Sequence, residues 1–189
     1  MAAISVLLFL PGLIFSGLMP FAWRSYVLLS IAALFMYLAF HQGFTLEELG
    51  MKTGNIGKAL RIQIPLVLFF LLLLSIAPTL GLASRRIMPA PLFFIFYMLV
   101  SAPCQEFIYR GYIYALLRRC GIENKYAAVF FLVIPFVFVH IIYHDFMIML
   151  FTIVAGVFLS VSYIKEMNFF AVSFSHALLG FFAIMAGVI

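Results

Sequence analysis

The chain has 189 residues, of which 67% are hydrophobic and only 9% are charged, and its formal net charge is +5. Soluble globular proteins carry roughly 25% charged residues, so this composition excludes that class and predicts an integral membrane protein. The excess of 11 lysines and arginines over 6 aspartates and glutamates then orients the chain in a lipid bilayer and does not indicate nucleic-acid binding. Two cysteines, Cys104 and Cys120, are too few for a disulfide framework.

Apolar runs of about 20 residues predict membrane-crossing helices, and we predict an all-α, polytopic integral membrane protein with about seven of them. The predicted spans cover residues 3–19, 26–40, 62–80, 91–119, 126–143, 146–164 and 169–189. The first run lacks a basic start and is interrupted by Pro11 and Gly12, which favours a retained helix over a signal peptide. We predict a single membrane domain, with N-terminal helices and an interfacial segment in residues 1–60 and the core in residues 61–189.

The connections carry their own signals. Between residues 41 and 61 the chain holds charges of both signs, which predicts an interfacial amphipathic segment and loop. Thr45 and Glu48 stand at the spacing of a capping box, so Thr45 can cap a short helix there. Arg85 and Arg86 lie in a short predicted loop that ends at prolines. Pro103, inside the fourth predicted span, predicts a kink.

The basic residues predict the orientation of the chain by the positive-inside rule. With a cytoplasmic N-terminus, the inner connections hold seven of them: Lys52, Lys58, Arg61, Arg118, Arg119, Lys125 and Lys165. The outer connections then hold three: Arg24, Arg85 and Arg86. We therefore predict a cytoplasmic N-terminus.

A few polar residues interrupt the apolar spans. Glu106 and Arg110 stand four residues apart on the fourth predicted helix and can pair, and ionisable groups at membrane depth are costly, so they indicate a functional site. A structural ion pair that joins two helices is the alternative. At 1.5 Å per residue from the inner ends of their helices, Glu106, His140 and His176 lie roughly 18, 21 and 12 Å deep. These depths lie toward the middle of a ~30 Å hydrocarbon core and predict a shared pocket.

A carboxylate and an imidazole at one depth predict a specific chemistry. Together Glu106 and His140 can hold a water molecule and take its proton. His176 can donate a hydrogen bond to the oxyanion that forms when a peptide carbonyl is attacked, and Arg110 can fix the Glu106 carboxylate. The pattern therefore predicts peptide hydrolysis without a covalent intermediate.

Two other chemistries compete with this interpretation. His140 and His144 stand four residues apart with Asp145 adjacent, and such sets bind zinc. The residue after His140 is Ile141 and not the glutamate of a helical metalloprotease motif, so we expect no cofactor and retain zinc as the alternative. Cys104 with a histidine partner is an alternative nucleophile.

Three short motifs follow one another in predicted helices four, five and seven. Residues 105–110 read QEFIYR, residues 136–140 read FVFVH, and residues 176–180 read HALLG. In this order they resemble the Glu-Glu-x-x-x-Arg, Phe-x-x-x-His and His-x-x-x-Asn motifs of the CAAX protease and bacteriocin-processing family, which are glutamic intramembrane endopeptidases. The resemblance covers about residues 45–180, with the family core in helices four to seven.

The resemblance implies a function and a site. Family members cleave a peptide bond near the end of a membrane-anchored or lipidated protein, and the compact size is similar to myxosortase-type members of the prokaryotic inner membrane. The implied catalytic residues are Gln105, Glu106, His140 and His176. The implied supporting residues are Arg110, Phe136, Asn168 and Gly180.

Two positions depart from the family pattern. Gln105 stands where the family has its first glutamate, and an amide cannot accept a proton, so either Glu106 takes over as the base or the chain is inactive. An inactive chain would serve in membrane immunity, scaffolding or substrate holding, and this glutamine is also the substitution that would be engineered to disarm the enzyme. Gly180 stands where the family has asparagine, which predicts weaker catalysis or a relocated donor. A transporter would predict inverted repeats, and the order of apolar segments shows none.

Overall fold

The structure of the protein is a computed structural model that describes residues 2–81 and 90–188. In this part of the chain all regular structure is helical, which confirms the predicted class. The helices are α1 (Ala2–Phe15), α2 (Arg24–His41), α3 (Ile56–Ile76), α4 (Pro91–Arg119), α5 (Lys125–Phe138), α6 (Phe146–Glu166) and α7 (Phe169–Met185). A 3-10 turn, Val139–Tyr143, extends α5. The predicted loop with Arg85 and Arg86 lies outside the described residues.

Five of these helices, α2 to α6, are long and apolar enough to cross a membrane, and α1 and α7 are apolar but shorter. Large apolar side chains on their outer faces are more than half exposed, among them Leu68, Leu99 and Phe130. An apolar outer surface of this kind is stable only against lipid. The chain is therefore an integral membrane protein, while the number of spans stays a prediction.

Helix α3 begins six residues earlier than predicted, so the predicted boundary at residue 60 falls inside it. The later start was predicted because the charges in residues 41–61 assigned them to an interfacial segment. Basic residues are unfavourable in the first turn of a helix, and in the structure Lys58 Nζ lies 2.9 Å from Glu166 Oε1 at the end of α6. Asn168 Nδ2 also donates to Lys52 O and to Asn55 Oδ1, each at 2.7 Å.

The predicted capping box forms, but the predicted short helix does not. The Thr45 N–H donates to Glu48 Oε2 at 2.8 Å, and the Glu48 N–H donates to Thr45 Oγ1 at 3.1 Å. The segment nevertheless closes as turns and ends at Gly50, whose φ of +73° leaves the helical region. Arg119 donates to both Glu48 oxygens at 2.8 Å, so this segment bonds to the end of α4 and does not form a helix.

The connections lie at two opposite ends of the bundle. At the first, the Arg119 end, Arg119 also donates to the carbonyl oxygens of Gln42 and Gly43, at 2.8 and 2.9 Å. At the second, the His144 end, the His144 ring stacks on Phe15 with the centroids 4.5 Å apart. The Arg119 end therefore joins the α2–α3, α4–α5 and α6–α7 connections, as expected for helices that alternate in direction.

Helix α4 is continuous from Pro91 to Arg119 but contains two π-helical stretches, Tyr97–Ser101 and Phe107–Ile113. Pro103 follows the first stretch and begins the α-helical segment Ala102–Glu106. π turns inside α-helices are frequent at functional sites because they change the direction of the side chains that follow. In α4 they flank the residues Gln105 and Glu106.

The Glu48–Arg119 contact predicts an acid-sensitive stability. Hydrogen bonds from the Arg119 side chain and the Thr45 N–H lower the pKa of Glu48 from 4.5 to about 2. Because the folded pKa is depressed, the stabilisation is present above pH 4.5 and is lost as the pH falls through about 2. From pH 7 to pH 3, we expect a larger drop in melting temperature for the wild-type protein in detergent than for Glu48→Gln. Equal drops would contradict this role of Glu48.

Candidate active site

Glu106 on α4 is a fully buried carboxylate that binds two partners through one oxygen. Its Oε1 accepts from Arg110 Nη1 at 2.6 Å and lies 2.6 Å from His176 Nδ1 on α7. Arg110 can only donate, so Oε1 acts as an acceptor in the first contact, and we assign the hydrogen of the second contact to His176 Nδ1. The structure thus brings Glu106, Arg110 and His176 into one ion cluster.

Arg110 is also fully buried, and α6 supplies its remaining partners. Its Nη2 donates to Gly156 O at 3.1 Å and its Nε to Ser160 Oγ at 3.4 Å. Its Cζ lies 4.1 Å from the centroid of the Phe136 ring, a cation–π contact. Sequence analysis missed Gly156 and Ser160, although two small residues four apart on one apolar helix were the available signal.

The ring of Phe136 on α5 connects the two histidines. It makes edge contacts with the rings of His140 and His176, at centroid distances of 5.2 and 5.4 Å. The close approach of α6 favours glycine at position 156, because a Cβ there would lie 3.0 Å from the Phe136 ring, which would have to shift. The predicted supporting residue Phe136 therefore lies between both imidazoles.

His140 lies where α5 tightens into its 3-10 extension. Its Nδ1 is 2.8 Å from the Phe136 carbonyl oxygen, which can only accept. Nδ1 therefore carries the hydrogen, and in the neutral ring Nε2 keeps its lone pair. His140 can accept a proton at Nε2.

A cavity of about 420 Å³ lies beside these groups, toward the His144 end. Gln105 and His140 both line it, whereas Glu106 and His176 do not. Gln105 Nε2 donates to Ser101 Oγ at 3.3 Å, and its buried Oε1 has no hydrogen-bond partner among the described residues. The remaining lining residues are Phe21, Arg24, Ser25, Leu28, Phe93, Phe96, Tyr97, Ser101, Val139, Ile142, Tyr143 and Ile184.

Sequence analysis did not single out Tyr97 or Ser101. Together with Gln105 they stand at intervals of four residues on α4, and all three line the cavity. This spacing on one helix face was the signal that could have found them.

The remaining predicted supporting residues, Asn168 and Gly180, lie apart from the charged groups of the ion cluster. The side chain of Asn168 begins α7, because its Oδ1 accepts from Ala171 N at 2.9 Å. Gly180 lies one turn after His176, and a Cβ added there would overlap the hydroxyl of Tyr97. The structure thus gives Asn168 a contact at a helix start and Gly180 a contact at a helix interface.

The residues of the alternative chemistries are placed elsewhere. Asp145 Oδ1 accepts from two backbone amides at the start of α6, at 2.8 and 3.1 Å, and the His144 ring lies against α1. Across residues 2–81 and 90–188, no group of three or more His, Cys, Asp or Glu side chains is placed to hold a metal ion. Cys104 is half-buried and packs against the apolar core.

An all-helical membrane protein with buried ionised groups beside a cavity belongs to a class that includes intramembrane enzymes. A sequence profile described as type II CAAX prenyl endopeptidase Rce1-like matches residues 86–182, slightly more than half of the chain. The protein belongs to this family, within the CAAX protease and bacteriocin-processing proteins, as the resemblance implied. No curated protein and no solved structure matches the chain.

Removal of Arg110 tests the ion cluster. We expect Arg110→Ala to lower the free energy of unfolding by roughly 3–5 kcal/mol, because it leaves Glu106 buried with less compensation. The measurement is reversible unfolding in mixed detergent and SDS micelles. Arg61→Ala, at an exposed arginine of α3, is the control and should change the stability little. A similar small change for both variants would mean that the cluster does not hold the helices together.

Proposed function

We propose that this protein is an intramembrane endopeptidase that hydrolyses a peptide bond near the end of a membrane-anchored or lipidated protein. Membership of a CAAX protease family supports the reaction class. The observation that carries the proposal is that Gln105 and His140, from two different helices, line one largely apolar cavity. Gln105 Oε1 has no hydrogen-bond partner among the described residues, and His140 Nε2 keeps its lone pair, so each offers an acceptor.

His140 is the proposed general base. A water molecule held between Gln105 Oε1 and His140 Nε2 attacks the substrate carbonyl carbon and gives one proton to His140. The carbonyl oxygen becomes an oxyanion. When the C–N bond breaks, His140 returns this proton to the leaving nitrogen, so that no covalent intermediate forms.

Glu106 and Arg110 act as positioning residues in this proposal. Their ion pair holds the His176 ring through Nδ1 at 2.6 Å. His176 can donate to the oxyanion from Nε2 when both ring nitrogens carry hydrogen, and the Glu106 carboxylate is placed to balance the charge of that form. Glu106 lies outside the cavity wall, which supports Gln105 and His140 as the pair that contacts water.

The predicted alternative, an inactive family member that holds a substrate, has its own supporting observation. Gln105 can orient water but cannot accept a proton, so His140 acts without a second base. A substrate could therefore bind in the cavity and remain intact. Cleavage and binding must be measured separately to distinguish the two functions.

Substitutions at the cavity wall test the proposal. The purified protein is reconstituted with lipidated or membrane-anchored peptides, and cleavage is followed by mass spectrometry. We expect His140→Ala to lower the rate by about 10²-fold or more, because the base is lost, and Gln105→Glu to raise it by about 10-fold or more. His41→Ala, at an exposed histidine of α2, is the matched control and should cleave like the wild type.

The outcomes separate the candidate functions. Absence of cleavage in every variant, including Gln105→Glu, would overturn the proposal, and retained peptide binding would then favour the substrate-holding function. Loss of cleavage upon chelation and upon His144→Ala would favour the zinc alternative. Full activity of His140→Ala would remove His140 from the mechanism.

The position of the cavity narrows the substrate class. Its wall includes Phe21, Arg24 and Tyr143, which lie at the His144 end, opposite the Arg119 end. The predicted cytoplasmic N-terminus puts the basic Arg119 end inside the cell. The proposed cavity then faces the outer side of a prokaryotic inner membrane, which fits an exported protein with a membrane anchor and a myxosortase-type role.

Cys120 reports this orientation directly, because it is exposed and follows α4 at the Arg119 end. In a Cys104→Ser background, we expect a membrane-impermeant maleimide to label Cys120 only after the cells are permeabilised. A cysteine introduced in place of His144 should be labelled in intact cells. The reverse pattern would show that the cavity faces the cytoplasm.

A further inference from the structure

Gly180 is the position where the third motif lacks a side chain, and the structure shows what fills this space. A Cβ built at Gly180 would overlap the hydroxyl and the adjoining ring carbons of Tyr97. Tyr97 belongs to α4 and Gly180 to α7, so the phenol crosses the interface between these helices. It takes the volume that a side chain four residues after His176 would need.

The surroundings of Tyr97 are those of the candidate site. Its ring makes an edge contact with the His176 ring at a centroid distance of 6.4 Å and stacks on Phe93 at 6.3 Å. It lines the same cavity as Gln105 and His140. Tyr97 is also the first residue of a π-helical stretch, which directs its side chain toward α7.

The neutral form of His176 needs a second donor beside it. His176 Nδ1 carries hydrogen toward Glu106, so Nε2 of the neutral ring has a lone pair and cannot donate. An oxyanion that forms beside a neutral His176 therefore needs hydrogen from another group. A phenolic hydroxyl is a neutral donor that remains protonated throughout the physiological range.

We propose that the Tyr97 hydroxyl donates the hydrogen bond that stabilises the oxyanion, in place of the side chain missing at Gly180. This inference rests on the proposed endopeptidase function. The Tyr97 ring lies edge-on to the His176 ring, on the wall that also carries the water-binding pair. Tyr97 is therefore a catalytic residue that the three motifs do not contain.

Tyr97→Phe tests the inference because it removes only the hydroxyl. The parent for this test is the wild type or Gln105→Glu, whichever cleaves faster. We expect Tyr97→Phe to lower the kcat of this parent about 10²-fold, as for loss of one oxyanion donor, and to change its KM less than about threefold. Tyr112→Phe is the matched control, since this buried tyrosine bonds Gln42 away from the cavity and should keep the parental kcat. An unchanged kcat for Tyr97→Phe in a cleaving parent overturns the inference and leaves the proposed function intact.

A rescue variant separates chemistry from packing. Tyr97→Ala removes the ring that blocks position 180, and Gly180→Asn in the same chain then places an amide donor in the vacated volume. We expect the double variant to cleave at least about 10-fold faster than Tyr97→Ala alone. The control is the double variant Tyr97→Ala with Gly180→Leu, whose new side chain fills the volume but cannot donate a hydrogen bond. If the two double variants cleaved at the same rate, Tyr97 would only fill space between α4 and α7, and the inference would be wrong.

A binding measurement tests the inference even if neither the wild type nor Gln105→Glu cleaves the peptide. The probes are a phosphinate analogue of the peptide, whose P–O⁻ resembles the oxyanion, and a ketomethylene analogue, which keeps a planar carbonyl. We expect Tyr97→Phe to weaken phosphinate binding about 10-fold or more while ketomethylene binding is unchanged. Equal phosphinate affinity of wild type and Tyr97→Phe, including no binding by either, overturns the inference.

Discussion

Glu106 Oε1 lies 2.6 Å from both Arg110 Nη1 and His176 Nδ1, and the rest of the site depends on this shared oxygen. Neither Glu106 nor Arg110 could be buried alone, because an unpaired charge in an apolar interior costs several kcal/mol. Arg110 in turn needs Gly156 O and Ser160 Oγ from α6. The charges thus fix the relative positions of α4, α6 and α7, and Phe136 adds α5 through its contacts with Arg110 and both histidines.

This constraint separates two neighbouring residues by function. Consecutive residues on an α-helix are about 100° apart, so Gln105 and Glu106 cannot point the same way. Glu106 points into the ion cluster and pairs with Arg110, whereas Gln105 lines the cavity and bonds Ser101. The proposed water-binding side chain and the ion pair that joins the helices are therefore different residues of one helix.

The sequence predicted those parts of the structure that depend on local pattern. Helix α4 has the predicted bounds, because Pro91 begins it and the glycine after Cys120 ends its polar C-terminal turn. The Glu106–Arg110 pair follows from four-residue spacing on one helix. The contact of Glu106 with His176 was expected only from similar depths, which is a weaker argument because each depth carried an error of about one helical turn.

The remaining parts depend on contacts between distant segments. The early start of α3 depends on Glu166, more than a hundred residues from Lys58. The choice between Gln105 and Glu106 as the cavity residue depends on the π-helical stretches of α4, which have no periodic signature in the sequence. Tyr97 shares a four-residue spacing with Ser101 and Gln105, but its relation to Gly180 exists only after α4 packs on α7.

The two ends of the bundle differ in the kind of interaction that closes them, and this difference bears on access to the cavity. At the Arg119 end, directional hydrogen bonds from Arg119 tie the α2–α3 connection to α4. At the His144 end, aromatic contacts join the N-terminal segments to the α5–α6 connection, from Phe15 to His144 and from Phe21 to Tyr143. Stacked and edge-on rings can shift without leaving a buried polar group unpaired, whereas a broken hydrogen bond can leave one. The end that lies nearer the cavity therefore includes ring contacts that an apolar substrate segment could replace with apolar contacts of its own.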